Sequence, residues 1–195
     1  MNHRSIYIYL FLIVSIVSAQ PTFTEHAIST DADYAMFVYA ADVDGDGDID
    51  ILSASRDDAK IAWYENDGSE NFTEHAISTS ASGAHSVYAA DVDSDGDMDV
   101  LSASRYDNKI SWYENDGSES FAEHVISTSA DQVRSVHAAD VDGDGDMDVL
   151  SASYWDHKIA WYENDGSESF TEHVISTTAD YAFSVYAADV DADGD

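Results

Sequence analysis

Apolar and polar positions alternate along short stretches of this chain. Ile110, Trp112 and Glu114 alternate with Ser111 and Tyr113, a period of two built largely from strand-forming residue types. Ser86 to Ala90, Met98 to Ser104, Lys109 to Asn115 and Phe121 to Ser127 all carry this strand character, and no stretch shows a sustained helical period. Asn115-Asp116-Gly117 follows the third of these segments. Asp-Gly tolerates the positive φ of a tight turn, so the third and fourth segments are expected to pair as an antiparallel hairpin. Asn66-Asp67-Gly68 and Asn164-Asp165-Gly166 place the same turn in two further copies.

The copies are regular. Asp42, Asp91, Asp140 and Asp189 open near-identical stretches at a spacing of 49 residues, which divides the chain into units at about 31–79, 80–128 and 129–177, with a truncated unit at 178–195. One such unit cannot bury its own apolar face, so a period near fifty points to propellers, solenoids or arrays. Four short antiparallel strands per unit are the blade pattern of an all-β propeller. Phe23-Thr24-Glu25-His26-Ala27-Ile28 matches the fourth strand of later units, so an orphan outer strand is expected at 22–30. Since closure takes four to eight blades, residues 20–195 are expected to be an incomplete propeller, with an open curved stack as the alternative.

The head of each unit carries the candidate chemistry. Asp42, Asp44, Asp46 and Asp50 stand at positions one, three, five and nine of a loop with Gly47 at position six, and Asp48 at position seven would offer its backbone carbonyl. Carboxylates so spaced, with a glycine for the sharp turn, suit a hard cation such as calcium. The equivalent sets are Asp91, Asp93, Asp95, Asp97 and Asp99, then Asp140, Asp142, Asp144, Asp146 and Asp148, and the last unit begins another with Asp189, Asp191 and Asp193. One Ca²⁺ per complete loop is expected. An EF-hand would need Glu at position twelve and flanking helices, whereas Ser53, Ser102 and Ser151 stand there between strands. A solvated acidic turn is the plain alternative.

Composition narrows the partners. Seven basic against 40 acidic residues give a formal charge of −33, which disfavours nucleic acid. The 12% aromatic and 44% hydrophobic content argues against disorder. Residues 1–19 have the form of a secretory signal: His3 and Arg4, an apolar run from Ile6 to Val17, then Val17-Ser18-Ala19 before Gln20. The apolar run is short for a membrane span, so after cleavage the chain is expected to be secreted or at the cell surface and not membrane-spanning. Cysteine is absent, so metal would take the place of disulfides. Asn71-Phe72-Thr73 is a glycosylation sequon, meaningful only in a eukaryotic host.

The D-x-D-x-D-G-x-x-D loop between the first and second strands resembles the FG-GAP-like repeat, also called the VCBS repeat, of integrin alpha subunits and many exported microbial proteins. Val87-Tyr88-Ala89-Ala90 stands where part of that family's motif would lie. The resemblance covers the chain after the signal and implies a calcium-stabilised propeller used for adhesion or binding, in some cases appended to an enzyme.

Antiparallel order places the metal and Asn-Asp-Gly loops on one rim and the remaining loops on the other. The first rim repeats; the second varies. Arg56, Tyr106, Trp155, His157, Arg134 and Tyr181 are the candidates there for contact with a glycan or an extracellular protein, against neutral drift of surface loops. Trp63, Trp112 and Trp161 recur within a strand and are expected to pack between blades. His26, His75, His124 and His173 recur too far apart to share an ion and are read as structural, while Asp58, Asp107 and Asp156 are expected to pair with Lys60, Lys109 and Lys158. No catalytic set stands out from its own copies. Three function classes follow: an adhesion or recognition scaffold, the accessory propeller of a secreted polysaccharide-active enzyme, or a structural spacer.

Overall fold

The computed structural model describes residues 24–191, so the expected signal segment and Asp193 lie outside the described residues. Among the described residues, twelve strands form three four-stranded antiparallel sheets, each in sequence order. The first holds β1 (Ala35–Ala41), β2 (Asp50–Ser55), β3 (Lys60–Asn66) and β4 (Phe72–Ser78). The second holds β5 (Ala84–Ala90), β6 (Asp99–Ser104), β7 (Lys109–Asn115) and β8 (Phe121–Ser127). The third holds β9 (Val133–Ala139), β10 (Asp148–Ser153), β11 (Lys158–Asn164) and β12 (Phe170–Ser176). The innermost strands β1, β5 and β9 lie side by side, and the sheets form an open arc of propeller blades rather than a closed ring.

The four-strand unit read from the sequence is present in every sheet, with one informative difference. The inner strand starts earlier than its alternation suggests, because a β-bulge interrupts it: Ala84 faces Ser104 and Ser86 faces Ala103, leaving His85 as the extra residue. The same bulge leaves Met36 unpaired in β1 and Arg134 unpaired in β9. A bulge re-aims a side chain without ending the strand.

Blades bury each other. Leu52, Ile61 and Trp63 of the first blade pack with Val87, Val100 and Tyr113 of the second, and Leu101, Ile110 and Trp112 pack with Val136, Val149 and Tyr162 of the third. Trp63 and Trp112 fill the seams, as expected: Trp63 meets Phe121 edge-on at 6.5 Å and Trp112 meets Phe170 at 6.4 Å, each across a blade boundary, whereas Trp161 has no such partner among the described residues and is half-buried. Val38 shows what a neighbour contributes. It is 62% exposed in the first blade, while its equivalents Val87 and Val136 are 0% and 4% exposed. Full burial of one such side chain stabilises by about 1.5 kcal/mol or more.

Residues 24–30 form no strand, contrary to the expectation at 22–30. A strand exists through its ladder partners, and no described segment pairs with this one. His26 and Ile28 instead border a cleft over the first blade with Val38, Ile51 and Tyr64. Tyr39, Tyr88 and His137 of the inner strands and Tyr186 beyond β12 stand in file, each ring 4.6 Å from the next. Burial, then the neighbouring Tyr39 hydroxyl, pushes the Tyr88 hydroxyl up to about 12.

Candidate metal centres and the opposite rim

Each acidic loop leaves the inner strand and enters the second. Gly96, at position six, has φ +100°, a conformation that a side chain disfavours, and Gly47 and Gly145 match it at +96° and +100°. The turn brings oxygens of Asp42, Asp44 and Asp50 within 4.8 Å of one another, and does the same for Asp91, Asp93 and Asp99 and for Asp140, Asp142 and Asp148. Positions one, three and nine are therefore gathered in all three complete loops.

The other predicted ligands are placed differently. At position five, Asp46, Asp95 and Asp144 turn a carboxylate oxygen to the N–H of Asp48, Asp97 and Asp146, at 2.8, 2.9 and 3.0 Å. At position seven those three residues press their own carboxylates against Gly68, Gly117 and Gly166 of the hairpin turns, where a Cβ would collide with them. Among the described residues, Asp189 and Asp191 join no third carboxylate.

Position nine is the anchor. Asp50, Asp99 and Asp148 are 0% exposed. Asp99 accepts the Val92 N–H at 2.9 Å on one oxygen and the Asn115 N–H at 2.8 Å on the other, which fixes its own loop to the end of β7. Asp50 and Asp148 repeat both bonds. Burial pushes Asp99 up to about 6 against the pull of the Asn115 and Val92 N–H groups. Asp44 and Asp93 are also raised, first by burial and then by the carboxylates beside them.

Gathering like charges costs free energy that a divalent cation would recover. The oxygens present fit such an ion. Asp42 Oδ1 and Asp91 Oδ1 are buried with no hydrogen-bond partner, the state of an acceptor whose partner is a cation. All-oxygen donors without histidine or cysteine suit calcium better than a transition metal. When bound, it would supply positive charge that locks the loop; Asp42, Asp44 and Asp50 and their equivalents would hold it.

The sequence marks Asn66, Asn115 and Asn164 as turn residues; the structure gives them a second role. Asn115 Nδ2 donates to the Met98 carbonyl at 3.2 Å and to Val43 in the preceding blade at 3.5 Å; Asn164 Nδ2 donates to Met147 at 3.3 Å and to Val92 of the preceding blade at 3.0 Å. The first acidic loop is thereby tied to the second blade and the second loop to the third blade. The recurrence of this asparagine in every unit was the available signal.

The histidines of the outer strands have a structural place. His75 stacks on Trp63 at 4.6 Å and meets Glu65 at 2.8 Å, with the same pairs at His124 and His173. Lys60 lies 3.6 Å from Asp58, and Lys158 3.4 Å from Asp156, but their shorter contacts are to Glu74 and Glu172, each at 2.7 Å. Lys109 pairs with Glu123 at 2.6 Å.

On the opposite rim the predicted contact residues divide. The Arg56 guanidinium is satisfied by Asp57 at 2.6 Å and lies 3.7 Å from the centre of the Tyr34 ring. His157 Nδ1 accepts the Tyr181 N–H at 3.0 Å and ties the third blade to the segment that follows it, as Asn108 Oδ1 ties the second blade to the third through the Gln132 N–H at 2.9 Å. Tyr106, Trp155 and Tyr181 are 55%, 51% and 53% exposed. Gly83 makes room for Tyr106: a Cβ there would stand 2.7 Å from its ring.

Fold and site together define an open propeller segment with, in each complete blade, an acidic loop that could hold a cation. The FG-GAP-like repeat model matches residues 42–102, 91–151 and 140–195, and the chain belongs to that family. No curated protein sequence matches it. Among solved structures it is similar to a lectin of Agrocybe aegerita, described as recognising non-reducing terminal N-acetylglucosamine, with a TM-score of 0.52 and 20% identity. The likeness covers 72% of this chain and 39% of that one, and it is one of fold.

Proposed function

We propose that this chain belongs to an exported, calcium-stabilised propeller that serves as a recognition scaffold for glycans or extracellular proteins. The contrast between the rims carries this reading. One rim repeats its acidic loops in every blade and its asparagine ties at both seams between blades. The other changes from blade to blade and exposes Tyr106, Trp155 and Tyr181. A stiffened frame beneath variable aromatic loops is how binding surfaces are built. Recurrence of every candidate group in equivalent blades favours a scaffold over a catalytic centre.

A glycan array and a panel of cell-surface proteins, probed with the full chain in calcium and again in EGTA, test the proposal. Retention that depends on calcium and weakens in Tyr106→Ala or Trp155→Ala is expected; no retention under either condition would end it. Export is checked separately by sequencing the N-terminus of protein recovered from a secreting host, with Gln20 expected first.

A further inference from the structure

Cations are scarce in this chain, and most of those described are spoken for. Arg56, Lys60, Lys109 and Lys158 each hold a carboxylate at 2.6 to 2.7 Å. Arg105 and Arg134 hold none among the described residues, although the chain carries 40 acidic residues. Both lie on the variable rim.

Their surroundings keep them apart from acid. Arg134 is the bulged residue of β9, and its guanidinium lies 4.4 Å from the centre of the Tyr154 ring and 5.1 Å from that of Phe183. Its Nη1 faces His85 Nε2 at 3.3 Å, while its Nε is buried with no partner. His85 is the bulged residue of the neighbouring inner strand, and its Nδ1 must donate to the Arg134 carbonyl at 2.9 Å, which leaves Nε2 as the acceptor. Arg105 donates Nε to Gln132 Oε1 at 2.9 Å and sits 5.4 Å from the centre of the Tyr106 ring. Burial lowers both Arg134 and His85, and the charge of Arg105 lowers each further. Positive groups therefore converge here. Between the bulges of adjacent blades lies a cleft of about 130 Å³ bordered by Phe37, His85, Arg134 and Phe183.

Building on the recognition reading above, we propose that this rim binds an acidic saccharide, whose carboxylate or sulfate pairs with Arg134 and Arg105 while its ring faces rest on Tyr106 and the neighbouring exposed aromatics. A guanidinium with no carboxylate partner among the described residues of so acidic a chain keeps charge and donors for an external anion. Flat exposed rings beside it suit the C–H faces of sugars. A nucleic acid, with a charge about every 1.7 Å of duplex, would meet the full repulsion of the chain. A single acidic group meets less: the acidic loops lie a strand away, roughly 20 Å for six residues, against a Debye length of about 8 Å in physiological salt.

The test titrates the full chain, in saturating calcium, with a uronate-bearing oligosaccharide too short to gel, its sulfated counterpart, the neutral counterpart and an acidic peptide. Either acidic sugar is expected to bind at least roughly tenfold more tightly than the neutral one, with that preference lost in Arg134→Gln and Arg105→Gln. The stronger acidic arm identifies the anion. Arg105→Gln, away from the bulge, keeps the test decisive if Arg134→Gln unfolds. Equal binding of the neutral sugar, tighter binding of the peptide, or indifference to both substitutions would overturn the inference while leaving recognition intact. No binding of any probe would count against both.

Discussion

Positions three and nine of the acidic loop should respond oppositely to neutralisation. Asp93 is crowded by Asp91 and Asp99, whose gathered oxygens lie within 4.8 Å, and its own bond from the Asp95 N–H is a long 3.2 Å. Two unit charges at that separation repel by about 0.9 kcal/mol even at the dielectric of water. Asp93→Asn keeps the acceptor and removes the charge, so without calcium it should stabilise by about 1 kcal/mol. Asp99 is buried and accepts two backbone N–H groups. Asp99→Ala strands both, at about 1–3 kcal/mol each, so it should destabilise with or without metal.

Calcium separates the two further. A site held at 100 times its dissociation constant adds about 2.7 kcal/mol to stability. Three gathered loops predict three ions in the parent chain and two in either variant. Urea unfolding followed by the fluorescence of the buried Trp63 and Trp112, in EGTA and in calcium, measures the stabilities, and native mass spectrometry counts the ions. Three ions retained in Asp93→Asn, or a loss of metal-free stability matching that of Asp99→Ala, would refute the assignment of Asp93 as a ligand held against repulsion.

Other sites give independent checks. Trp112 is 0% exposed and fills the seam against Phe170, so Trp112→Ala should cost about 3–5 kcal/mol in urea unfolding, and a loss below about 1 would deny its role in joining blades. Gly83 has φ +71° beneath the Tyr106 ring, so Gly83→Ala should cost on the order of 1–3 kcal/mol, with part restored in Gly83→Ala/Tyr106→Ala; strict additivity in that double-mutant cycle would mean the two do not meet. His85 is lowered by burial and the nearby arginines, and His137 by burial. Both are neutral in folded and unfolded chains at pH 8; as pH falls below about 6.5 the unfolded chain protonates first, so their contribution to stability should decline until the lowered folded values are passed, opposing the gain from Asp99 as it protonates below about 6. His137→Tyr, the residue at Tyr39, Tyr88 and Tyr186, should flatten that decline in a pH series of melts, and an unchanged slope would show that His137 does not contribute.

Much of this architecture was legible because the chain states it repeatedly. The strand alternation around Trp112, the Asp-Gly turns and the gathered Asp91, Asp93 and Asp99 all follow from residue type and spacing. What escaped depends on register and on contacts between units. His85 and Arg134 gain their directions from a bulge, which shifts pairing without changing residue type. Position five also escaped: alternation of aspartates cannot show that Asp95 turns to the Asp97 N–H while Asp93 turns to the shared centre. Asn115 reads as a turn former, and only the neighbouring blade reveals its bond to Val43.

The two rims are joined by the shortest route the fold offers. β6 begins at Asp99, the anchor of the acidic loop, and ends at Ser104, immediately before Arg105. β10 runs likewise from Asp148 to Ser153, before the Tyr154 ring that lies against Arg134. These central strands are paired on both sides and buried along their length, so they bend little. The asparagine bonds from Asn115 and Asn164 set one blade against the next at the acidic end. Fixing that end with metal would therefore fix the separation of Arg134 from Arg105 and His85 at the other, because Arg134 reaches the variable rim from the third blade and Arg105 and His85 from the second. On the proposed reading, calcium would act on recognition by this route without touching the ligand, since an anion held from two blades is held less well when those blades are free to tilt.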